Sequence, residues 1–380
     1  MSSKFRSRLE QFNEGSCECG PSCCPGAPKR SEGPDVHRPY DAPWAEGRIN
    51  AGRAEIPVVV TKLSFRDRAG HWRVRWGIRR MSYTVPPGLY AVGAPDAESP
   101  VFVSANYKFS FDLLRASLDG LNAWVLVLDT QGINVWCAAG KGTFGTDELV
   151  RRIEDARLAL VVSHRTLILP QLGASNVAAH EVAKRAKFRV VYGPVKASDI
   201  KAFMGAGMKA TPVMRRVRFP LRDRLALVPE ELAGVFSRKI VLVLAAVWLA
   251  GVLGVRFLRF DGPAVLGAIL VGTVLVPLLL PWIPGRPFAW KGWLLGLAWA
   301  AAVLAWRGFP PAMLREWAAG LSYLFILPAV SAFLAMGFTG SSTFTSLSGV
   351  VKEMKTAVPL MALSGILGIA ATVASAVLGK

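Results

Sequence analysis

The sequence predicts two parts in succession: an α/β domain with a parallel, Rossmann-like sheet, then an all-α transmembrane domain of about five helices. Two observations carry this. Short apolar, strand-like runs alternate with amphipathic stretches through the middle of the chain, the pattern of strands joined by crossover helices. From residue 240 onward, long apolar runs recur, and they account for a hydrophobic fraction of 52% in 380 residues.

In the α/β part, the strand-like runs are 101–105, 124–129, 158–162 and 188–192, with amphipathic segments between them. Ahead of these, 56–85 alternates apolar and basic residues, as in Trp72-Arg73-Val74-Arg75-Trp76, and reads as a β-hairpin. In an open α/β sheet, ligands bind beyond the carboxyl ends of the strands. Ser104, Asn106 and Ser110 fall at the end of the first strand, and Gly193, Pro194 and Val195 at the end of the last, so all six are candidate ligand contacts.

The apolar runs of the second part are 240–255, 263–283, 292–306, 321–336 and 357–378. A spanning helix needs about 20 mostly apolar residues; the second and fifth runs meet this alone and the others with their flanks. Lys209, Arg215, Arg216, Arg218, Arg222 and Arg224 precede the first run, and Arg238 and Lys239 stand at its mouth. Such a cluster favours the cytoplasmic leaflet. The expected location is therefore the cytoplasmic (inner) membrane, multi-pass, with the N-terminal domain in the cytoplasm. The same cluster explains much of the net charge of +19, and no nucleic-acid-binding motif accompanies it, so nucleic acid is not an expected partner. The domain boundaries are 1–50, a tail; 51–220, the α/β domain; 221–239, a basic juxtamembrane linker; and 240–380, the membrane domain.

Residues 1–50 are rich in Gly, Pro, Ser and charge, which predicts a disordered tail. They also lack the apolar core of a signal peptide. Cys17, Cys19, Cys23 and Cys24 are crowded there without ferredoxin or zinc spacing. As soft thiolates they offer ligands for mercury(II), or they form a thiol-rich tail without a defined site. Asp35-Val36-His37 approaches a cobalamin lower-ligand motif, but Tyr40 stands where that motif needs glycine.

The most reactive position is in Asn134-Val135-Trp136-Cys137-Ala138-Ala139-Gly140-Lys141, directly after the second strand. A phosphate-loop reading fails on spacing, because Val135 and Gly142 stand where a glycine and a hydroxyl residue are required. In a helical segment, Lys141 would share a face with Cys137. His164 and His180 show no metal-ligand spacing with Cys137 and read as structural, with His180 a secondary candidate for lining the pocket.

This eight-residue string resembles the signature of the HgcA family of mercury-methylating corrinoid proteins. Two further stretches are similar to the corrinoid domain of that family and of the large subunit of the corrinoid iron-sulfur protein. They are Leu169-Pro170-Gln171-Leu172-Gly173-Ala174-Ser175-Asn176-Val177-Ala178-Ala179-His180-Glu181 and Phe188-Arg189-Val190-Val191-Tyr192-Gly193-Pro194-Val195-Lys196. The resemblance covers 101–219 closely and the membrane part by architecture.

The resemblance implies a corrinoid cofactor of the cobalamin type, with Cys137 as lower axial ligand of cobalt. Asn134 to Lys141, Gly173 and the strand-end residues would line its pocket. It further implies a methyl group passed as a carbanion equivalent to mercury(II), a ferredoxin-like iron-sulfur partner protein that supplies electrons, and a cytosolic one-carbon methyl donor. Two rival readings remain: a corrinoid methyl carrier of one-carbon metabolism that never meets mercury, and a membrane mercury or metal carrier. The carrier is weakened by the lack of Cys, His, Asp or Glu inside the expected spans.

Overall fold

The computed structural model describes residues 42–51, 54–235, 261–308, 314–338 and 347–378. The expected tail cysteines, the Asp35-Val36-His37 motif and the expected span at 240–255 lie outside these residues. The chain divides into two compact units, with the main boundary between Val217 and Arg218.

The first unit is built on a mixed, seven-stranded sheet: β1 (Ala45–Ala51), β2 (Ala54–Val59), β3 (Gly88–Val92), β4 (Val101–Ala105), β5 (Ala123–Leu128), β6 (Thr166–Leu169) and β7 (Arg189–Tyr192). Its spatial order is β1-β2-β3-β5-β4-β6-β7. β4 pairs in parallel with β5 and with β6, and β6 in parallel with β7. The sheet is not parallel throughout, because β3 runs antiparallel to β5 and β1 antiparallel to β2. β4 and β5 are buried along their whole length. That is why VFVSA and AWVLVL read as continuous apolar runs rather than alternating ones.

Helices cover both faces. Val101, Val103, Ala105, Trp124 and Leu126 form one core with α3 (Val135–Lys141), α4 (Thr146–Asp155) and α5 (Ala179–Ala186). Phe102, Val125, Val127 and Ile168 form the other with α2 (Lys108–Ser117) and α6 (Ile200–Gly205). The chain leaves β4 toward β5 on one side and returns to β6 on the other. The carboxyl ends of β4 and β6 therefore flank the switch point at which open sheets bind ligands.

Two sequence expectations fail locally. The run 158–162 is a short 3-10 turn at Leu158–Leu160, entered through Arg157 at φ 47°, and the strand lies at Thr166–Leu169. Short apolar runs do not distinguish a strand from a buried turn. The hairpin expected over 56–85 is instead formed by β1 and β2, with Ala51 opposite Ala54, so strand structure begins inside the stretch read as tail. Residues Phe65–Arg75 form a helix, α1. Its start is a capping box: the Ser64 backbone N–H donates to Asp67 Oδ2 at 3.0 Å and the Asp67 N–H donates to Ser64 Oγ at 3.2 Å. The inward positions Asp67, Gly70 and Val74 carry one apolar side chain, so the helical period was masked by alternating arginines.

Among the described residues, the second unit has two short helices, α7 (Leu221–Leu225) and α8 (Val228–Val235), and four helices long and apolar enough to cross a membrane. These are α9 (Gly262–Leu279), α10 (Phe288–Trp306), α11 (Leu314–Gly337) and α12 (Leu347–Val377). α9 widens to a π turn over Val271–Leu275, next to Pro277, whose ring cannot continue the regular hydrogen-bond ladder. Helices α10 and α11 approach closely at Gly292 and Gly296: a Cβ on Gly292 would lie 2.6 Å from the Ala335 Cβ, and one on Gly296 2.7 Å from the Pro328 Cα. This is the small-residue packing expected where no hydrophobic effect drives helices together.

Polar contacts mark one end of this bundle. Arg224 donates to the Leu278 carbonyl at 2.6 Å, Lys291 to the Leu280 and Ile283 carbonyls at 2.6 and 2.8 Å, and Glu353 accepts the Ala289 N–H at 2.6 Å. Cations meet helix carboxyl ends and a carboxylate meets a helix amino end, as the helix dipole favours. At the other end the Tyr323 hydroxyl donates to Asp261, and Arg307 lies 5.0 Å from the Tyr323 ring centroid.

Candidate functional site

The carboxyl edge of the parallel strands gathers four loops, and Asn106, just after β4, ties the first of them to the second. It is 6% exposed. Its Oδ1 accepts three hydrogen bonds from the loop after β5: from the Thr130 N–H at 3.1 Å, the Thr130 hydroxyl at 2.8 Å and the Gly132 N–H at 2.9 Å. Its Nδ2 donates to Asp129 Oδ1 at 3.2 Å. The Asn106 side chain is thus spent on shaping the loop that leads to α3. Gly132 has φ 73°, and a Cβ there would lie 2.8 Å from the Met81 carbonyl oxygen. Only glycine fits that conformation and space.

That loop delivers the chain into α3 at Asn134, whose Oδ1 accepts the Cys137 N–H at 2.9 Å as an N-cap. Gly142, at φ 86°, ends the helix after seven residues. The conformation sorts the motif by face. Val135, Ala138 and Ala139 are buried in the sheet-side core, whereas Trp136 is 42% exposed and Gly140 and Lys141 are exposed. Cys137 is a free, half-buried thiol one turn before Lys141. A Cβ on Gly140 would meet nothing within 4 Å, so this face is open.

The turn Gln171–Ser175, after β6, lies beside α3. Gly173 is required by packing, since a Cβ there would lie 2.5 Å from the Phe144 ring. Gly193 donates to the Leu169 carbonyl at 2.7 Å, Pro194 accepts the Gln171 N–H at 3.5 Å, and Val195 donates to the Met214 carbonyl at 2.8 Å. The loops after β6 and β7 are therefore tied together. Among the described residues, Gln171 Oε1 is a buried acceptor with no hydrogen-bond partner. Sequence reasoning did not single out Gln171, although an amide directly after a Leu-Pro strand end was a readable signal.

The structure also places Ser104, Ser110 and the two histidines read as structural, His164 and His180. Ser104 is buried and donates to the Ala105 carbonyl at 3.3 Å, and strand alternation turns it toward the α2 layer, away from α3. Ser110 is half-buried in the first turn of α2. His164 sits at the amino end of β6, bonded to the Ser99 carbonyl at 2.9 Å and the Thr166 N–H at 3.2 Å. His180 is exposed beside Glu181 at 3.6 Å.

Next to this edge, the start of α2 carries a buried ion network. Lys108 Nζ lies 2.8 Å from Asp67 and 2.7 Å from Asp112, Arg115 lies 2.9 and 2.7 Å from the same two carboxylates, and His71 Nε2 lies 2.9 Å from Asp112. Burial alone would raise both carboxyl pKa values, but hydrogen bonds and charge from Lys108, with His71 at Asp112, outweigh it and hold both below the usual range. The same burial, with the two carboxylates near, pushes the Tyr83 hydroxyl well above its ordinary value. The network fastens α1 to α2.

Comparison with known proteins bears on this part of the chain. The family model for CO dehydrogenase/acetyl-CoA synthase delta subunit (CdhD) matches residues 79–204. Similar proteins include the acetyl-CoA decarbonylase/synthase complex subunit gamma of Archaeoglobus fulgidus, 30% identical over 127 residues, which are 33% of this chain and 27% of that protein. The subunit gamma of Methanocaldococcus jannaschii is 36% identical over 99 residues, 26% of this chain and 20% of that protein. That of Methanopyrus kandleri is 30% identical over 122 residues, 32% and 26%. The chain thus matches about a quarter of the length of these relatives.

Proposed function

We propose that the chain is a membrane-anchored, corrinoid-dependent methyltransferase that converts mercury(II) to methylmercury, with a Rossmann-like corrinoid-binding domain as its first unit. The observation that carries this reading is the placement of Cys137. It is a half-buried thiol on a short, capped helix at the switch-point edge, beside an open surface at Gly140. The motif around it is the one that resembles the mercury-methylating corrinoid proteins.

The residues present fit a corrinoid. The partnerless Gln171 Oε1 is an acceptor for the amide N–H groups at the rim of a corrin ring. Trp136 and the side-chain-free surface at Gly140 suit a flat macrocycle, Lys141 suits its phosphate, and Cys137 is a soft donor for cobalt. When bound, the cofactor supplies a methyl group for transfer as a carbanion equivalent. The chain's own residues set the stage: Asn106 fixes the loop, Asn134 fixes the Cys137 amide, and Ala138 and Ala139 lock the helix against the sheet. A ferredoxin-like iron-sulfur protein and a cytosolic methyl donor are the proposed partners, with mercury(II) as substrate. The basic cluster Lys209, Arg215, Arg216, Arg218, Arg222 and Arg224 ahead of the helical unit supports a cytoplasmic location for the α/β unit.

A second reading, a corrinoid methyl carrier of one-carbon metabolism, is favoured by the similarity to acetyl-CoA decarbonylase/synthase subunits. One preparation separates the two. Full-length protein reconstituted anaerobically is assayed for corrinoid content, cobalt spectrum and, with the iron-sulfur partner, methylmercury. Cys137→Thr is expected to keep much of the corrinoid, shift the spectrum and lose most methylmercury formation. Corrinoid binding without methylmercury in the unsubstituted protein supports the carrier; an unaltered spectrum in the variant sinks the axial role of Cys137.

A further inference from the structure

The outer face of α1 is the least explained surface of the first unit. Phe65 is 87% exposed and Trp72, two turns on, is 61% exposed, with Met81 of the following turn at 42%. Arg66, Arg68 and Arg73 are exposed beside them, Arg68 one turn from both aromatics. From Lys62 to Arg73 the single acidic residue is Asp67, which is buried and engaged by Lys108 and Arg115. The stripe therefore presents exposed aromatics framed by guanidinium groups that no acidic residue of this segment offsets.

This face is not waiting to be folded inward. The opposite side of α1 is already filled: Asp67 and His71 belong to the ion network, Val74 is 3% exposed, and a Cβ on Gly70 would lie 2.4 Å from the Tyr83 hydroxyl. Turning α1 over would bury arginines and break that network. Exposed aromatics at this density need an apolar environment, while arginines need anions, and the two lie within one helical turn. The headgroup and upper acyl region of an anionic bilayer supplies both at the matching depth. An acidic protein groove would answer the charge, but offers no reason for Phe65 and Trp72 to project together.

We propose that α1 is an interfacial helix that seats Phe65 and Trp72 in an anionic lipid surface, with Arg66, Arg68 and Arg73 at the phosphate level. The membrane-length helices of the same chain keep a bilayer at high effective concentration, so a weak contact suffices. Docking through this face would orient the α/β unit relative to the membrane plane whatever ligand its sheet edge takes.

The test uses the full chain in lipid nanodiscs with the photo-crosslinker p-benzoylphenylalanine at Phe65, and at Leu160, an exposed residue away from α1, as control. Phe65→p-benzoylphenylalanine is expected to give adducts of phospholipid mass, several-fold more in discs containing phosphatidylglycerol than in phosphatidylcholine alone. The yield should fall as salt rises. The Leu160 control should give none, and adding Arg66→Gln, Arg68→Gln and Arg73→Gln should cut the Phe65 yield several-fold. These three side chains are exposed, so the folded state is retained, which far-ultraviolet circular dichroism verifies. Adducts to protein alone, equal yields in the two lipid mixtures, or no adduct in phosphatidylglycerol discs would overturn the proposal.

Discussion

Asn106 Oδ1 accepts the backbone N–H of Gly132 at 2.9 Å, across 26 residues of chain, and so ties the end of β4 to the loop that positions Cys137. Asn106→Asp keeps this acceptor but replaces the Nδ2 donor 3.2 Å from Asp129 with a second carboxylate. Neighbouring carboxylates raise one another's pKa, so the new group is stabilising when protonated and its contribution is lost as pH rises through the raised folded value. A loss of about 1–3 kcal/mol at neutral pH is expected, relieved in acid. Hydrogen exchange of the 129–141 peptide at a series of pH values measures it; uniform protection across the series refutes the hub role of Asn106.

Gln171 carries an unusual expectation. Its buried Oε1 lacks a partner, which costs about 1–3 kcal/mol in the ligand-free protein. Gln171→Leu should raise the melting temperature of the unliganded chain while weakening corrinoid retention. Parallel melts and corrinoid-content measurements decide, and a destabilised variant with unchanged corrinoid content refutes it.

Acid should release α1. Asp67 and Asp112 both have lowered pKa values in the folded protein, so their stabilisation is present above the unfolded value of about 4 and is lost as pH falls toward the folded values. Protection of the 61–75 peptide against hydrogen exchange should therefore decline below about pH 4, before that of β4 and β5. Asp112→Asn should remove this protection already at neutral pH, because it strands Lys108 and Arg115.

In the helical unit, Gly296→Val places methyl groups where the Pro328 Cα lies 2.7 Å from the built Cβ. Overpacking between α10 and α11 should cost about 1–3 kcal/mol. Gly365→Val should cost far less, since nothing lies within 4 Å of that position. Thermal melts in detergent compare the two; equal losses would deny the close approach at Gly296.

By itself, the sequence determined what depends on short-range pattern. The buried strands at 101–105 and 124–129, the apolar helices of the second unit, and a lone cysteine in a small-residue motif after a strand follow from side-chain chemistry and period. Only the tertiary structure decided what depends on residues far apart. The antiparallel setting of β3, the conversion of an alternating basic segment into α1, and the displacement of the third expected strand to Thr166–Leu169 all lack a local signal. The same holds within the site. Asn106 and Gly173, expected at the ligand, are engaged with Gly132 and Phe144, whereas Gln171 is the residue left with an unanswered acceptor. Which polar atoms are satisfied is settled by contacts between distant segments, and spacing along a chain carries no record of them.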